Sequence, residues 1–480
     1  MIRSPKKLFA GAAILMVSAC TVGPDYVPPV NLLPPAFDAG GISGAVQDRW
    51  WTEFGDPALD QLVNQALQAN LDIAVSDARI LQARAVRDIA GGGALPSVGA
   101  NGSLTQTRVS ENGAQLASIP DTFSPRTEYT DYKGSFDASW EIDLFGYNRR
   151  QVEAATARLG SAEEDRRATV IRIAAEVARN YADLRANERR IEIALATIKS
   201  NRETLALVRQ RIDAGEEAEI AGGRAKSALR QAEAALPPLS ASRKQSLYAL
   251  DVLLSQQPGF TEDMLATVEG PSLSVPIIPT GLPADLLRRR PDVRSAERDL
   301  AAATADVGVA VADLYPRISI TGEIGLEALG PGDLIKSASL FWQGGPSISL
   351  PVFDAGRRRA SVRQQRAEAD ESLALYKKAV LQALSDVEGA LIQFRRSQER
   401  ASALGAARAE LALTLDLTRQ RYDVGETDLL DVLDVERQVT TLDDQLAQAN
   451  AQTLINAISL DKALGGGWQT FETGHAERRS

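Results

Sequence analysis

Residue types that carry covalent chemistry are scarce in this chain. Its 480 residues include one cysteine, Cys20, and one histidine, His475. One cysteine excludes a disulfide within the chain, and two such residues are too few for a nucleophilic or metal site built from Cys and His. Carboxylates are numerous along the helical segments, but their spacing singles out no pair as a hydrolytic site. We therefore expect that the protein is not an enzyme and that it has no metal or other cofactor.

One set of acidic residues does have a regular spacing. Asp428, Asp431 and Asp434 follow one another at intervals of three at the predicted start of a helix, so they lie close to one face of it. The residues alone favour capping: Asp428 fits the N-cap and Asp431 the third helical position, where the helix dipole stabilises a negative charge. This interpretation gives the acids a structural role.

The cysteine follows a segment that is typical of exported proteins. Residues 1–7 carry three basic and no acidic side chains, and the apolar run over residues 8–17 is too short to span a bilayer as a helix. The motif that ends at Cys20 (VSAC) resembles the bacterial lipobox, in which the cysteine becomes the first mature residue and is acylated. We predict a signal peptide over residues 1–19 and, on Cys20, an S-diacylglycerol and an N-acyl chain that anchor the protein to a membrane.

Composition and charge narrow the class of protein. The chain is 44% hydrophobic but only 5% aromatic, and its formal net charge is −10. These values suit a large helical body and argue against a nucleic-acid partner. Two arginine runs, Arg288–Arg290 and Arg357–Arg359, allow two interpretations, contact with phosphate or the solvated face of a helix. Their acidic surroundings favour the solvated face.

The sequence repeats itself about 210 residues apart. Residues 95–98 (LPSV) correspond to residues 315–318 (YPRI) at an offset of 220, and residues 209–216 (RQRIDAGE) correspond to residues 419–426 (RQRYDVGE) at an offset of 210. The repeat predicts an internal duplication. We predict a signal peptide (1–19), an acylated extended segment (20–56), a first repeat (57–270), a second repeat (271–467) and a polar C-terminal tail (468–480).

Prolines shape the extended segment. Five prolines lie between residues 24 and 35, and they forbid a helix and favour an extended path. Two interpretations stay open: a tether between the acylated cysteine and the body, or a segment that wraps the body.

Each repeat is predicted to contain a helix, two strands and a long helical hairpin. The first helices cover residues 56–91 and 283–314, and the long helices cover residues 149–212 and 357–422, without a proline. At about 1.5 Å per residue, each long helix extends roughly 90 to 100 Å. Gly215 and Gly425 follow them and favour the left-handed turn that closes a helix before the chain reverses. The returning helices cover residues 219–255, with a break at Pro237-Pro238, and residues 428–464.

Four predicted strands are too few to form a closed sheet that covers its own edges. Apolar and polar residues alternate over residues 132–142 and 318–327, and more weakly over residues 97–108 and 343–350. An open four-stranded sheet with an apolar outer face is stable neither in water nor, with bare edges, in lipid. Three copies would supply twelve strands, enough to close a membrane β-barrel above a ring of long helices. We therefore predict a homotrimer; the alternative, a soluble coiled-coil protein with incidental strands, does not account for the lipobox and the strand pattern together.

Ordered motifs along nearly the whole mature chain resemble those of the TolC-like outer-membrane efflux proteins, in particular the acylated NodT/OprM-type branch. The matching segments are residues 20–26 (CTVGPDY), 50–57 (WWTEFGDP), 143–146 (DLFG), 286–292 (LLRRRPD), 351–356 (PVFDAG) and 463–468 (ALGGGW). The resemblance implies a mainly α protein with a small β part: a trimeric duct with a β-barrel in the outer membrane and an α-barrel in the periplasm.

The resemblance also implies a function and partners. Such a duct is the outer-membrane channel of a tripartite efflux pump, and it passively conducts small molecules such as drugs or metal ions to the exterior. Its partners are a periplasmic membrane-fusion adaptor and an inner-membrane RND-type transporter. The alternative is the exit duct of a type I protein secretion system, which uses the same channel with an ATP-driven pump.

A periplasmic gate at the hairpin ends is a further implication. Family carboxylates that match Asp431 and Asp434 line the constricted entrance, with Asp428 beside them, and a tyrosine that matches Tyr422 helps to hold the entrance closed. Thr427 stands where a well-known member has an arginine. The resemblance favours a gate for these acids over capping alone, although one residue can serve both purposes.

The two repeats differ at the gate. Ala221 and Arg224 of the first repeat match Asp431 and Asp434 of the second. A ring of acids would therefore come from the second hairpin only, and three copies would bring six carboxylates together, where they would concentrate cations.

Overall fold

The computed structural model describes residues 21–30, 33–40, 44, 47–110, 127–266 and 273–469. The signal peptide, Cys20, His475 and most of the predicted C-terminal tail lie outside the described residues. Within those residues helices predominate, and four strands form one sheet. The prediction of a mainly α fold with a small β part is confirmed.

The described residues form nine α-helices in an order that repeats. They are α1 (Pro57–Ala69), α2 (Leu71–Gly92), α3 (Tyr147–Asp213), α4 (Glu219–Leu253), α5 (Phe260–Leu265), α6 (Leu286–Arg289), α7 (Pro291–Ala312), α8 (Arg357–Asp423) and α9 (Leu429–Ala463). The helices α3 and α8 have 67 residues each, and the returning helices α4 and α9 have 35 each. These equal lengths confirm the internal duplication and the two long hairpins.

The first helix of each repeat is divided, which the periodicity did not predict. The helix expected over residues 56–91 is α1 and α2, because Asn70 takes an extended conformation (φ −63°, ψ 131°) and its side chain caps α2 through the amide of Asp72 at 2.9 Å. In the second repeat, the break between α6 and α7 falls at Arg290, which is also extended (φ −80°, ψ 114°). The apolar period continues across both breaks, so it cannot locate them.

The helix α4 has no break at Pro237-Pro238, and that prediction is wrong. The fixed φ of proline fits a helix, but the residue lacks an amide hydrogen and its ring crowds the carbonyl group four residues back, so a proline can bend a helix without ending it. Both proline residues are exposed, so water can satisfy the carbonyl groups that lose their helical partners.

The four strands are β1 (Ser97–Arg108), β2 (Glu128–Ile142), β3 (Arg317–Ala328) and β4 (Leu340–Ser349). They form an antiparallel sheet in the order β1-β2-β3-β4, so β1 and β4 are its edges. The register places Phe136 opposite Ile324, and Ile324 opposite Trp342. These three side chains share one face and are 61%, 52% and 77% exposed. The predicted alternation therefore produces an apolar face that one copy leaves uncovered.

Two compact units make up the structure. The first consists of Met1–Pro29, Ile80–Ser161 and Glu297–Leu375 and contains the sheet; the second consists of Val30–Arg79, Ala162–Ala296 and Tyr376–Ser480. Each unit draws on both repeats.

In the first unit, residues that follow Cys20 make hydrogen bonds and an ion pair with residues 145 and 150. The amide of Val22 donates to the carbonyl oxygen of Phe145 at 3.1 Å. The guanidinium of Arg150, whose side chain is 3% exposed, contacts the carboxylate of Asp25 at 2.7 Å. Of the two interpretations of the extended segment, its first residues support the wrap.

The core of the second unit surrounds an aromatic cluster. Trp50, Trp51 and Phe54 are at most 1% exposed, and the two tryptophan rings meet edge to face with centroids 5.7 Å apart. Apolar side chains of five helices pack into the same core: Leu59 and Leu62 of α1, Ile173, Val177 and Leu184 of α3, Leu247 and Leu250 of α4, Val387 of α8, and Leu460 of α9. Burial of these side chains stabilises the unit by about 25 cal/mol per Å² of apolar surface.

Not every side chain of the two arginine runs is exposed to solvent. Arg290 is 11% exposed and donates to the carbonyl oxygens of Ala383 at 3.4 Å and Ala463 at 3.2 Å, and to Asp386 at 3.0 Å. Arg358 is 16% exposed and lies against acidic side chains. The prediction of a solvated face is wrong for these two residues, because a planar guanidinium with five donors can satisfy several acceptors at a buried junction.

A buried acid in the second unit is expected to make stability depend on pH. Asp461 of α9 is 4% exposed, and burial, together with the charge of Glu53, raises the pKa of its carboxyl well above the ordinary value of 3.8. The folded state therefore holds a proton that the unfolded state releases. The stability that this provides is complete below the unfolded pKa and is lost as the pH rises toward the folded pKa.

Asp461→Asn should therefore raise the midpoint of urea unfolding at neutral pH and flatten the decline in stability above pH 3.8. Asp416→Asn, at an exposed position on α8, is the matched control and should leave the profile unchanged. A less stable Asp461→Asn variant at neutral pH would show that the buried carboxylate is favourable.

Candidate functional site at the hairpin ends

Each long hairpin turns at a glycine with a left-handed backbone. Gly215 has φ 76° and Gly425 has φ 80°. In both turns the glycine amide donates to the carbonyl oxygen three residues back at 3.0 Å, and the amide of the following glutamate donates five residues back at 2.8 Å. These two bonds are the Schellman motif, which satisfies carbonyl groups at the ends of α3 and α8.

Gly425→Ala is expected to destabilise the protein by about 1 kcal/mol, because alanine strains a left-handed backbone. No atom lies within 4 Å of an added Cβ at this position, so the effect comes from the backbone alone. Gly405 lies inside α8 with equally open surroundings, and Gly405→Ala should stabilise the helix by up to about 1 kcal/mol. Urea unfolding compares the two variants, and effects of the same sign would contradict the strain argument.

Next to the turns, the two hairpins pack through an apolar cluster. Its members are Leu205 and Val208 of α3, Ala221 and Ala225 of α4, Tyr422 of α8, and Leu429 and Val432 of α9. All seven are at most 7% exposed. The cluster holds the two hairpin ends of one copy together.

Tyr422 connects the second hairpin to the first. It is 4% exposed, its hydroxyl donates to Oε1 of Glu217 at 3.3 Å, and the guanidinium of Arg211 lies 4.4 Å from its ring centroid. Burial raises the pKa of Tyr422 above its ordinary value of 10.0, so the hydroxyl remains a donor at neutral pH. The residue expected to hold the entrance closed thus makes a contact between the hairpins.

Asp428 and Asp431 lie at the start of α9. Asp428 is the N-cap residue, with an extended backbone (φ −82°, ψ 154°), but its side chain makes no cap hydrogen bond. The carboxylate of Asp431 accepts from the hydroxyl of Thr427. The backbone amide of Asp431 donates to the carbonyl oxygen of Asp428 at 3.1 Å. Asp428 therefore occupies the predicted N-cap position, but its side chain does not cap the helix.

Asp431 and Asp434 line one open groove between the hairpins. The groove has a volume of about 1420 Å³ and is bordered by residues of α3, α4, α8 and α9. Asp434 accepts from Arg437 at 2.5 Å, whereas the carboxylate of Asp431 has the neutral partner described above. Arg224 of the first repeat lines the same groove, and Asp428 does not. The structure thus brings together two of the three spaced acids.

Sequence reasoning missed a charged cluster in this groove. Arg419 of α8 donates to Glu436 of α9 at 2.6 Å and to Ser200 of α3 at 3.0 Å. The repeat contains the signal for it: at the offset of 210 residues, Arg209 and Lys226 occupy the positions of Arg419 and Glu436. Like charges in one repeat and opposite charges in the other indicate an ion pair that belongs to the second hairpin.

Two long stretches of the chain, residues 62–256 and 282–466, match the sequence model of a family described as outer membrane efflux protein. The chain belongs to this family. Among its relatives in the outer membrane efflux protein family, nodulation protein T of Rhizobium leguminosarum bv. viciae is 32% identical over 469 residues, which are 96% of this chain and 94% of that protein. The solvent efflux pump outer membrane protein SrpC of Pseudomonas putida is 30% identical over 477 residues, 96% of this chain and 98% of that protein.

A solved structure extends the likeness to the fold. The outer-membrane channel OprN is 36% identical to this chain, covers 94% of it over 100% of its own length, and superposes with a TM-score of 0.86. The predicted resemblance to TolC-like efflux channels is confirmed, and the family and fold of this outer membrane efflux protein are those of channels.

Metal-binding clusters and membrane-spanning helices are both absent from the described residues. Among those residues, no group of three or more His, Cys, Asp and Glu side chains could hold a metal ion. In the described part of the chain, none of the helices has the length and apolar character needed to cross a membrane.

Proposed function

We propose that three copies of this chain form the outer-membrane exit duct of a tripartite efflux pump. The duct would conduct small molecules passively, and the energy would come from an inner-membrane RND-type transporter coupled through a periplasmic membrane-fusion adaptor. The relative SrpC belongs to a solvent efflux pump, which supports the efflux of small molecules over protein secretion.

The observation that carries this proposal is the uncovered apolar face of the sheet. Aligned side chains on this face are 40–77% exposed: Val98 and Leu104 of β1, Phe136 and Trp140 of β2, Ile320 and Ile324 of β3, and Leu340, Trp342 and Ile348 of β4. The opposite face carries polar pairs such as Lys133 with Glu323, at 2.8 Å. Water disfavours such an apolar face, whereas lipid accommodates it.

The edges of the sheet support three copies. The strands β1 and β4 each pair on one side only, and unpaired backbone groups cost several kcal/mol each in lipid. Pairing β4 of one copy with β1 of the next, around a ring of three four-stranded sheets, leaves no edge and gives an even-numbered barrel. By the resemblance to efflux ducts, Asp431 and Asp434 of every copy would line the periplasmic entrance of such a trimer.

Bilayer recording and native mass spectrometry of the detergent-solubilised full-length protein test the duct. We expect a trimer and discrete conductance steps. A stable monomer that forms no pore would overturn the proposal. Deletion of the gene in its host separates the two transport functions: accumulation of a fluorescent efflux substrate supports efflux, and loss of a secreted protein supports secretion.

We also propose that Cys20 carries the N-acyl and S-diacylglycerol chains. The lipobox and the bound conformation of the residues after it support this assignment, since Val22 and Asp25 are held in place by Phe145 and Arg150. Growth with radiolabelled palmitate should label the parent protein and not the Cys20→Ser variant. Equal labelling of the two would contradict the assignment.

A further inference from the structure

A row of exposed arginines lies in the first turns of the long helix α8. Arg359, Arg363 and Arg366 follow one another at intervals of four and three, which places them on one face of the helix. They span about 10 Å along its axis. None of the three makes a hydrogen bond or an ion pair with the part of the chain that the structure describes. We call these three residues the α8 arginine stripe.

Acids are sparse around the stripe. The helix α8 contains five arginines before its first acid, Glu368, and the first acid on the face of the stripe is Asp370, one turn beyond the last arginine. An ordinary solvated helix face mixes both signs of charge. At the corresponding positions of α3, 210 residues earlier, the chain has Arg149, Glu153 and Thr156. The concentration of positive charge is therefore a property of the second repeat.

The stripe begins close to one end of the sheet. The register sets Ile318 opposite both Ile142 of β2 and Ile348 of β4, so the strands that lead into α3 and α8 end side by side. Between β4 and α8, Val352 and Phe353 are 92% and 88% exposed. Exposed apolar side chains thus continue from the sheet to the start of the helix, and exposed positive charge follows them.

The residues after Cys20 show which side of α8 carries the stripe. Arg366 lines a groove of about 580 Å³ together with Gly23, Pro24 and side chains of α7. Arg357, which points to the opposite face of the helix, lines a separate groove. The stripe is therefore on the side of α8 along which the chain leads back to Cys20, the residue proposed to carry the acyl chains.

A membrane surface supplies the groups that fit this arrangement. Exposed apolar residues followed by exposed basic residues match the order of a bilayer, in which hydrocarbon is followed by headgroup phosphates. The planar guanidinium donates two parallel hydrogen bonds to a phosphate. Each basic side chain near an anionic leaflet strengthens the attraction to it. Three arginines without a counter-ion in the described chain therefore suit negatively charged headgroups.

We propose that the α8 arginine stripe binds the phosphates of anionic phospholipid headgroups, in the leaflet that receives the acyl chains of Cys20. This inference rests on the proposed duct and on the proposed acylation. The apolar face of the sheet contacts the hydrocarbon, and the stripe contacts the headgroups on the helical side of it. The second repeat thus provides a lipid site that the first repeat lacks.

Native mass spectrometry of the detergent-solubilised full-length protein, titrated with phosphatidylglycerol, tests the site. The triple variant Arg359→Gln, Arg363→Gln and Arg366→Gln should bind this lipid about tenfold more weakly than the parent at low salt. The difference should shrink as sodium chloride is added, because salt screens exposed charges. Phosphatidylcholine, whose headgroup has no net charge, should bind equally to both proteins.

The matched control removes the same charge farther along the same helix. Arg396, Arg400 and Arg421 are exposed on α8, and their triple replacement by glutamine should leave binding of phosphatidylglycerol as in the parent. Both triple variants should remain trimers and keep the conductance of the parent. Inorganic phosphate, exchanged for chloride at constant ionic strength, should not displace the lipid.

Four results would each have a definite meaning. Equal lipid binding by the stripe variant and the parent, or equal weakening in the control, would refute the site. Loss of the trimer without loss of lipid would show that the stripe is a contact between copies and would overturn the proposal. Displacement by inorganic phosphate would overturn it in favour of a free-anion site. If the parent is a monomer without a pore but the stripe variant still loses lipid, the duct proposal fails and the lipid site stands.

Discussion

Replacing Asp56 by alanine is expected to lower the free energy of unfolding by about 2 to 4 kcal/mol. Asp56 is 1% exposed in the core of the second unit. One carboxylate oxygen caps α1 by accepting from the amide of Ala58 at 2.9 Å, and the other accepts from the hydroxyl of Tyr181 at 2.6 Å. Burial raises the pKa of Tyr181, so the hydroxyl stays protonated. Alanine removes the cap and leaves this buried donor without an acceptor.

Urea unfolding of Asp56→Ala, Tyr181→Phe and the double variant measures this network. The double variant should lose less stability than the sum of the single variants, because both remove the same hydrogen bond. Asp88→Ala, whose parent side chain is 67% exposed, should change the free energy of unfolding by less than about 0.5 kcal/mol. If Asp56→Ala were as stable as Asp88→Ala, the network would have no role in stability.

Removal of the carboxylates of Asp431 and Asp434 is expected to raise the single-channel conductance or to weaken cation selectivity. Negative charges that line a confined entrance concentrate cations there. Arg437 already neutralises part of the charge of Asp434, whereas the partner of the Asp431 carboxylate among the described residues is the neutral hydroxyl of Thr427. Among the single variants, Asp431→Ala should therefore reduce selectivity more than Asp434→Ala. Reversal potentials in a salt gradient measure the change.

The matched control for this experiment is in the first hairpin. Asp213→Ala with Glu216→Ala also removes two acids beside a turn, and both are exposed and lie outside the groove. This control should keep the selectivity of the parent. Unchanged selectivity after loss of Asp431 and Asp434 would remove the gate assignment and leave the fold intact.

The strands and hairpins could be predicted because each leaves a signal in its own residues. Alternation over residues 132–142 and 318–327 gives the period of a strand, and the register later aligns the apolar members of both on one face. Likewise, the absence of proline and the glycine at each turn define the long helices. The internal repeat supplied the same helical pattern a second time, and the two long helices, α3 and α8, are equal in length.

Features that depend on distant partners could not be predicted. Arg290 belongs to a basic run that is typical of a solvated helix, yet only 11% of its side chain is exposed, and it donates to the carbonyl groups of Ala383 and Ala463. The break at Asn70 is stabilised by an amide hydrogen bond to Leu253, 183 residues away. Neither partner can be identified from the local sequence.

At the candidate site, the sequence led to the acids and not to their partners. The spacing of Asp431 and Asp434 placed them on one face, and the structure places both in one groove. Glu436 was missed because a single glutamate inside a long helix has no distinctive spacing. Only the contacts from α3 and α8, through Ser200 and Arg419, distinguish it from an ordinary surface residue.

The bound residues after Cys20 have a consequence for handling the protein. Thr21 packs closely against Gly146: a Cβ added to Gly146 would lie 2.7 Å from the methyl carbon of the threonine. Gly23 packs as closely against Gly308, because a Cβ added to Gly23 would lie 2.6 Å from the Cα of Gly308. The lipid proposed for Cys20 would therefore be attached directly before a segment that is packed against the protein. An affinity tag or fluorescent fusion placed directly before Thr21 would have to fit beside these close contacts, and we expect it to disturb them.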